Sequence, residues 1–390
     1  MDRKKLKICH VITRMIIGGA QENTLLSAIG QAEKGHDVTL LTGPTTGPEG
    51  KLLEGKNAGK VKVVENENLV RELCPLSDIK SYYELKKYFV QEKFDVVHTH
   101  SSKAGIIGRY AAWNAKIPLV VHTIHGQAFH RYEKLWKNKL YIFLEKLAEK
   151  KCHKIFAVAQ AMINQCLENG IGYKEKYRVV YSGMEIESFL NSKCDYALKK
   201  KLDIPENALV VGTLARLFHL KGYDYIVEIA KKIIEAVPNT YFLLIGDGIL
   251  KEKIKKDARE AGLEKHFVFA GLLRPELIPA YLSIVDVLLH LSLREGLPRS
   301  VVQSLASGKP AIAFNLDGTP EVLINGKTGF ITEPDEIDKV ANYTIELLKD
   351  RNKREEMGRN GRSFVAKNFD WHFMVDELED EYYKGLKAKA

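Results

Sequence analysis

Along the chain, short apolar runs rich in β-branched residues alternate with longer amphipathic stretches. In the first half LKICHVI, HDVTLLT, VKVVE, DVVHTH, PLVVHTI, KIFAVA and YRVVYSG predict strands, and segments such as AQENTLLSAIGQAEKG, closing on Gly35, predict the helices between them. The second half repeats the scheme with LVVGTLA, TYFLLIG, HFVFAG, VLLHLS and PAIAFN. Strands apolar at nearly every position need cover on both faces. Parallel sheets flanked by helices provide it, and right-handed crossovers wind each set into a doubly wound α/β domain. The polar stretch LNSKCDYALKKKLDIPEN interrupts the alternation after YSGMEIESF. Two Rossmann-like domains are therefore expected, over 1–190 and 191–366. The last segment, 367–390, reads as an amphipathic helix returning to the first domain, with Phe373, Val375, Leu378, Tyr382 and Tyr383 on its buried side.

A length of 390 residues suits two domains with cores of their own. The balance of 45% apolar and 28% charged residues is that of a soluble globular chain. No apolar run approaches the roughly 20 residues of a spanning helix. The basic start Arg3 to Lys7 followed by ICHVITRMII is interrupted by His10 and Arg14, so it reads as a strand rather than a signal peptide. Cys9, Cys74, Cys152, Cys166 and Cys194 lack CxxC spacing, which supports neither a disulfide framework nor a zinc site and fits the cytoplasm.

The net charge of +9 resides in the first half: residues 1–190 hold 29 Lys+Arg against 20 Asp+Glu, and the remainder 30 against 30. Within it, His130 to Lys154 carries 8 basic and 3 acidic residues interleaved with Tyr132, Trp136, Tyr141 and Phe143. Two readings stay open. The helix lies on the anionic inner face of a membrane, or it is a solvated helix whose aromatic face packs on its own sheet. Nucleic acid is not an expected partner, because no binding module accompanies the charge.

In open α/β sheets, ligands bind beyond the carboxyl ends of the strands. The first strand runs into IIGGAQ, where Gly18 and Gly19 open a helix; their amides can approach a phosphate or hydroxyl, or the pair simply makes a turn needing positive φ. GxGxxG is absent, so no dinucleotide cofactor is indicated. In VGTLARLFHLKGYD, Arg216 and Lys221 stand five apart beside a helix start near Gly222. Two fixed cations there make a diphosphate site, since both compensate charge that grows on a leaving group. No Asp-x-Asp pair follows a strand, so the expected mechanism is metal-free. In LSLREGLPRSVVQSLASGKP, Glu295, Gly296, Leu297 and Pro298 enter a helix, with Pro298 in its first turn and Gly308 closing it. The carboxylate can accept hydrogen bonds from sugar hydroxyls while the Gly296 and Leu297 amides face sugar or phosphate. Gln303 lies about 12 Å further along the axis on helical geometry, a distance suited to another part of one extended ligand. His98 and His100 point the same way at a strand end, but no third ligand at a defined spacing accompanies them, so no metal is expected.

These segments together resemble the family 4 retaining glycosyltransferases, which adopt the two-Rossmann-domain GT-B fold. The family motif of Glu, seven residues, Glu and a small-Gly-x-Pro continuation is matched by Glu295, seven residues, Gln303 and SLASGKP. The resemblance extends through GGAQ, DVVHTHSSKAGIIGR, VVHTIHG, LARLFHLKG, LLIGDG, FVFAGLL and NLDGTPEVL, in order. It implies two α/β domains facing across a cleft and a nucleotide diphosphate sugar as co-substrate, with no further cofactor. It also implies that Arg216 and Lys221 bind the diphosphate, that Glu295 holds hydroxyls of the transferred sugar, and that backbone at Gly296 to Pro298 contacts sugar or phosphate. Gly246, Asp247, Gly248 and Leu272 match the surroundings of the base and ribose, and His125 matches a histidine close to the reacting sugar. The second acidic position, which holds the ribose, is here Gln303, and an amide lacks the charge-assisted grip of a carboxylate.

Retention of configuration requires either double displacement or attack from the face of departure. No extra carboxylate presents itself as a nucleophile, so same-face substitution is expected. The acceptor is expected to be a saccharide or lipid-linked saccharide of envelope or exopolysaccharide assembly. A nucleotide-sugar 2-epimerase of the same fold and a non-catalytic sugar-nucleotide-binding protein are the alternatives.

Overall fold

The computed structural model of the protein describes residues 3–46, 50–55 and 57–388. The chain packs as two units, the first running to Met184 and resuming at Trp371, the second spanning Glu185–Asp370.

In the first unit the seven predicted runs become β1 (Lys7–Ile12), β2 (Asp37–Thr42), β3 (Lys62–Glu65), β4 (Val96–His100), β5 (Leu119–Ile124), β6 (Lys154–Ala157) and β7 (Tyr177–Val179). They form one parallel sheet in the order β3-β2-β1-β4-β5-β6-β7. The second unit contains β8 (Leu209–Leu214), β9 (Thr240–Ile245), β10 (Phe267–Gly271), β11 (Val287–His290), β12 (Ala311–Phe314) and β13 (Gly329–Thr332), also parallel, in the order β10-β9-β8-β11-β12-β13. The sequence reading missed β13. Its four residues follow directly on the Gly326–Thr328 loop and show no apolar run of their own.

Strand order reverses between β1 and β4 in one sheet and between β8 and β11 in the other. At such a point, neighbouring strands send their outgoing loops to opposite faces of the sheet and leave a crevice for a ligand. The segments holding Gly18, Arg216, Lys221 and Glu295 leave β1, β8 and β11, at these switch points, and those holding His125, Gly246 to Gly248 and Leu272 leave the neighbouring β5, β9 and β10.

The helix Trp371–Lys387 packs on the helix Gly19–Glu33 through Met374, Val375, Leu378 and Tyr382, all buried in the core beneath β1, β2 and β4. Phe373, expected on that face, is instead 51% exposed. At about 100° per residue it stands roughly 200° round the helix from Val375, while the 374/375/378/382 spacing keeps one stripe inward. Tyr383 is half-buried and donates its hydroxyl to the Lys4 carbonyl at 2.6 Å. Among the described residues no helix is long and apolar enough to cross a membrane.

Candidate active site

In the second unit, the loop after β8 places Arg216 exposed, its guanidinium carbon 5.2 Å from the centre of the Phe218 ring, and Lys221 half-buried. Gly222 follows at φ 77, and a Cβ there would lie 2.1 Å from the Leu291 carbonyl, so only glycine lets this loop pass against the end of β11. That approach puts Lys221 beside the β11 loop. Its Nζ lies 2.5 Å from Glu295 Oε1, 3.3 Å from Ser292 Oγ and 3.5 Å from the Arg294 carbonyl. The Glu295 amide donates to Asp317 Oδ2 at 2.6 Å, and the Gly318 amide donates to the Gly296 carbonyl at 3.1 Å. The loop after β12 thus clamps Glu295–Gly296 from behind.

Burial pushes the Glu295 carboxyl up, but the neighbouring Lys221 ammonium outweighs it and holds the group below the usual carboxylate range. His290, at the end of β11, is buried with Nε2 3.6 Å from Glu295 Oε1 and Nδ1 3.0 Å from Ser300 Oγ. Burial lowers this imidazole to about 4, against the pull of Glu295, so it is neutral near pH 7.

The helix after this loop is Arg299–Ala306, so Pro298, expected in its first turn, is the residue just before it. Gly308 lies beyond the helix end at φ 73, as its closing role requires. Gly296, Leu297 and Pro298 are buried, and Gln303 is half-buried midway along the helix. The GDG loop after β9 is tied to the Arg216 loop, the Leu217 amide donating to the Asp247 carbonyl at 3.0 Å. A Cβ on Gly246 would lie 2.1 Å from the Ala215 carbonyl, which explains this glycine by close approach of two loops. The Gly248 amide donates to Asp247 Oδ1 at 2.8 Å, and Lys251 pairs with the same carboxylate at 3.0 Å. Leu272, 46% exposed, follows Gly271, whose carbonyl accepts from the Gly246 amide at 3.0 Å. Arg216, Lys221, the GDG loop, Leu272 and Glu295 therefore share linked loops at the carboxyl ends of neighbouring strands.

In the first unit, Gly18 precedes the helix Gly19–Glu33 with extended backbone at φ 179, so no left-handed turn demands a glycine there. Ala20 of that helix, Ser101 and Ser102 after β4, and His122, His125 and Gly126 from β5 and its loop line a pocket of about 280 Å³. Cys166, Ile171 and Tyr177 line it as well.

Behind His125 stand residues that sequence reasoning did not connect. His10 on β1 is the register partner of His98 on β4, and His100 pairs with Thr123 on β5. Since alternate residues share a face, His10, His98 and His100 meet on one side, whereas His122, paired with Thr99, points to the other. A third imidazole, His10, joins His98 and His100 from a strand about 90 residues away in the chain, a placement that no sequence spacing signals. Ligand-capable nitrogens of the three lie within 4.8 Å of one another. They are engaged in hydrogen bonds: His98 with Tyr382 and Thr123, and His10 with Gln31 and His100.

Two doubly wound parallel sheets, with a lysine–carboxylate pair and glycine-supported loops at one switch point and a histidine-lined pocket at the other, define a GT-B-type enzyme. Residues 17–188 match the family model described as Glycosyltransferase Family 4, and residues 196–364 match Glycosyl transferases group 1. The chain is 30% identical over 382 residues to the UDP-Gal:alpha-D-GlcNAc-diphosphoundecaprenol alpha-1,3-galactosyltransferase of Escherichia coli, covering 97% of each chain. It is 26% identical to the capsular polysaccharide biosynthesis glycosyltransferase CapM of Staphylococcus aureus, over 81% of this chain and 84% of that one. Among solved structures it is similar to Anabaena HepE in complex with UDP-glucose, with a TM-score of 0.80, 22% identity, and coverage of 97% of this chain and 100% of that one. The protein belongs to glycosyltransferase family 4, a family of retaining enzymes.

Proposed function

We propose that this enzyme transfers a hexose from a uridine diphosphate sugar to a lipid-linked saccharide during assembly of an envelope or exported polysaccharide. The observation that carries the reading is the Lys221–Glu295 pair at the β8/β11 switch point, which sets a cation for phosphate beside a carboxylate for sugar hydroxyls. The uridine base and lipid-linked acceptor follow the Escherichia coli relative named above, with which this chain aligns over 97% of its length. Donor binding is assigned to the second unit, through Arg216, Lys221, Gly246 to Gly248, Leu272, Glu295 to Pro298 and Gln303. Acceptor binding is assigned to the first unit, whose pocket His125 lines as the group beside the reacting sugar, and Gly18 and Gly19 are assigned to the donor.

Chemistry proceeds as same-face substitution. The bond from C1 of the sugar to the diphosphate oxygen breaks, its electron pair staying on the diphosphate. The acceptor hydroxyl oxygen bonds C1 from the same face, and its proton passes to the departing phosphate oxygen. Arg216 and Lys221 stabilise the charge that develops on that oxygen, an electrostatic term of the kind that dominates enzymic rate enhancement. The reading assigns no metal ion.

The first unit is assigned to an anionic membrane surface. On the helix Leu135–Glu149, Leu135, Trp136 and Phe143 are 80%, 61% and 56% exposed, so these three side chains do not pack on the sheet. Lys134 and Lys139 are exposed among them. Rings at the interface with lysines at the headgroups are the composition of a surface-bound helix.

The test is a panel of nucleotide diphosphate sugars, read by thermal stabilisation and by nucleoside diphosphate release with a polyprenyl-diphosphate-linked acceptor. A uridine diphosphate hexose should stabilise the protein and be consumed only when acceptor is present. Conversion of the donor to a second nucleotide sugar without acceptor identifies an epimerase instead.

A further inference from the structure

We propose that Gln31, His10 and His100 form a directional hydrogen-bond chain that fixes the tautomer of His125, with the proton on Nε2 and Nδ1 as the acceptor nitrogen. Three contacts build the chain. Gln31 Oε1 lies 2.8 Å from His10 Nε2, His10 Nδ1 lies 2.9 Å from His100 Nε2, and His100 Nδ1 lies 3.0 Å from His125 Nε2. Gln31, His10 and His100 are fully buried, and His125, at the outer end, lines the pocket.

The direction follows from what each atom can do. An amide oxygen only accepts, so the nitrogen facing it, His10 Nε2, carries the proton. A neutral imidazole has one N–H and one bare nitrogen, so His10 Nδ1 accepts and His100 Nε2–H donates to it. By the same rule His100 Nδ1 accepts, and His125 Nε2–H donates. Burial keeps the inner rings neutral: His10 is lowered to about 4 by desolvation, with Gln31 opposing, and His100 falls well below its ordinary value by desolvation and the neighbouring histidines. Neutral rings make the argument binding, because an imidazolium would donate from both nitrogens.

The orientation of the Gln31 amide is held from its other side. Gln31 Nε2 donates to Tyr382 Oη at 3.4 Å, Tyr382 Oη lies 2.5 Å from His98 Nδ1, and His98 Nε2 lies 2.6 Å from Thr123 Oγ1. The tyrosine oxygen accepts from the amide N–H, and the amide oxygen is left for His10. The helix Trp371–Lys387 thereby sets, through Tyr382, the hydrogen-bonding face of a residue four side chains away. Gln31, His10, His100 and Tyr382 are positioning residues, and none is required to touch substrate.

The functional value of the chain rests on the assignment of His125 to sugar binding. That assignment is tested by loss of transfer in His125→Ala, whereas the tautomer is read with no substrate present, so the two fail separately. The experiment is long-range proton–nitrogen correlation on full-length enzyme labelled with nitrogen-15 histidine near neutral pH, with His125 assigned by loss of its signals in His125→Ala. His125 should be protonated at Nε2 and bare at Nδ1. Gln31→Leu, which removes the acceptor facing His10 Nε2, should turn His125 into a mixture of tautomers. A wild-type His125 protonated at Nδ1 overturns the proposal, as does a pattern unmoved by Gln31→Leu. Should Gln31→Leu not fold, the wild-type spectrum still decides the direction.

Discussion

Lys221 Nζ and Glu295 Oε1 stand 2.5 Å apart although 74 residues separate them in the chain, and each holds a charge that the other neutralises. On the proposed donor assignment, a diphosphate would compete for the lysine and release the carboxylate to sugar hydroxyls. Glu295→Gln keeps the shape and removes the charge. Steady-state kinetics should show a fall in turnover of about 10²-fold, within the range for losing one charge-assisted contact in a transition state. Stabilisation by the nucleoside diphosphate alone, which lacks the sugar, should persist.

Gln303 occupies the position where the family motif has a second glutamate. Gln303→Glu should lower the donor KM by about fivefold, because a charge-assisted hydrogen bond exceeds a neutral one by roughly 1 kcal/mol. Turnover should change little, since the ribose is remote from the reacting carbon. A donor titration at saturating acceptor checks this.

Membrane attachment is tested separately from catalysis. Neutralising Lys134, Lys137 and Lys139 should abolish co-sedimentation with phosphatidylglycerol vesicles at low salt, each lysine contributing about 1 kcal/mol. Trp136→Ser with Phe143→Ser should weaken binding at all salt concentrations, because it removes apolar insertion. Wild-type protein that never sediments would remove the membrane reading.

Five buried histidines tie stability to pH. His10 and His290 are lowered from an ordinary value near 6.5 to about 4 by burial, and His98, His100 and His122 lie well below it for the same reason. Below pH 6.5 the unfolded chain binds protons that the fold refuses, so stability is highest above pH 6.5 and falls as pH drops toward 4. Each such histidine contributes a slope approaching 1.4 kcal/mol per pH unit in that window. Urea midpoints should therefore decline steeply from pH 7 to pH 5. His290→Asn should flatten part of that decline, and a profile level over this range would contradict the neutral, buried assignment.

The division of labour along the chain was legible because it lives in local sequence. Seven apolar runs in the first half each became a strand, and the positions of Arg216, Lys221 and Glu295 follow from where those of the second half stop. The relation between Lys221 and Glu295 was not legible, since it depends on β8 and β11 being neighbours and on Gly222 passing beneath Leu291. His10 was read as an interruption in an apolar run. Its partnership with His100 is a matter of strand register, which one sequence does not display, and Tyr382 joins only because the last helix returns to the first sheet. Phe373 is as apolar as its buried neighbours, but angular position around the helix decides burial and turns it outward.

The role of Lys221 at the leaving group is read from transfer by Lys221→Ala, measured as nucleoside diphosphate release from a uridine diphosphate hexose in the presence of a lipid-linked acceptor. Turnover should fall by about 10³-fold with the acceptor KM within about twofold of wild type, as expected when a charge that stabilises the leaving group is removed. Turnover equal to that of the wild-type enzyme would contradict that role.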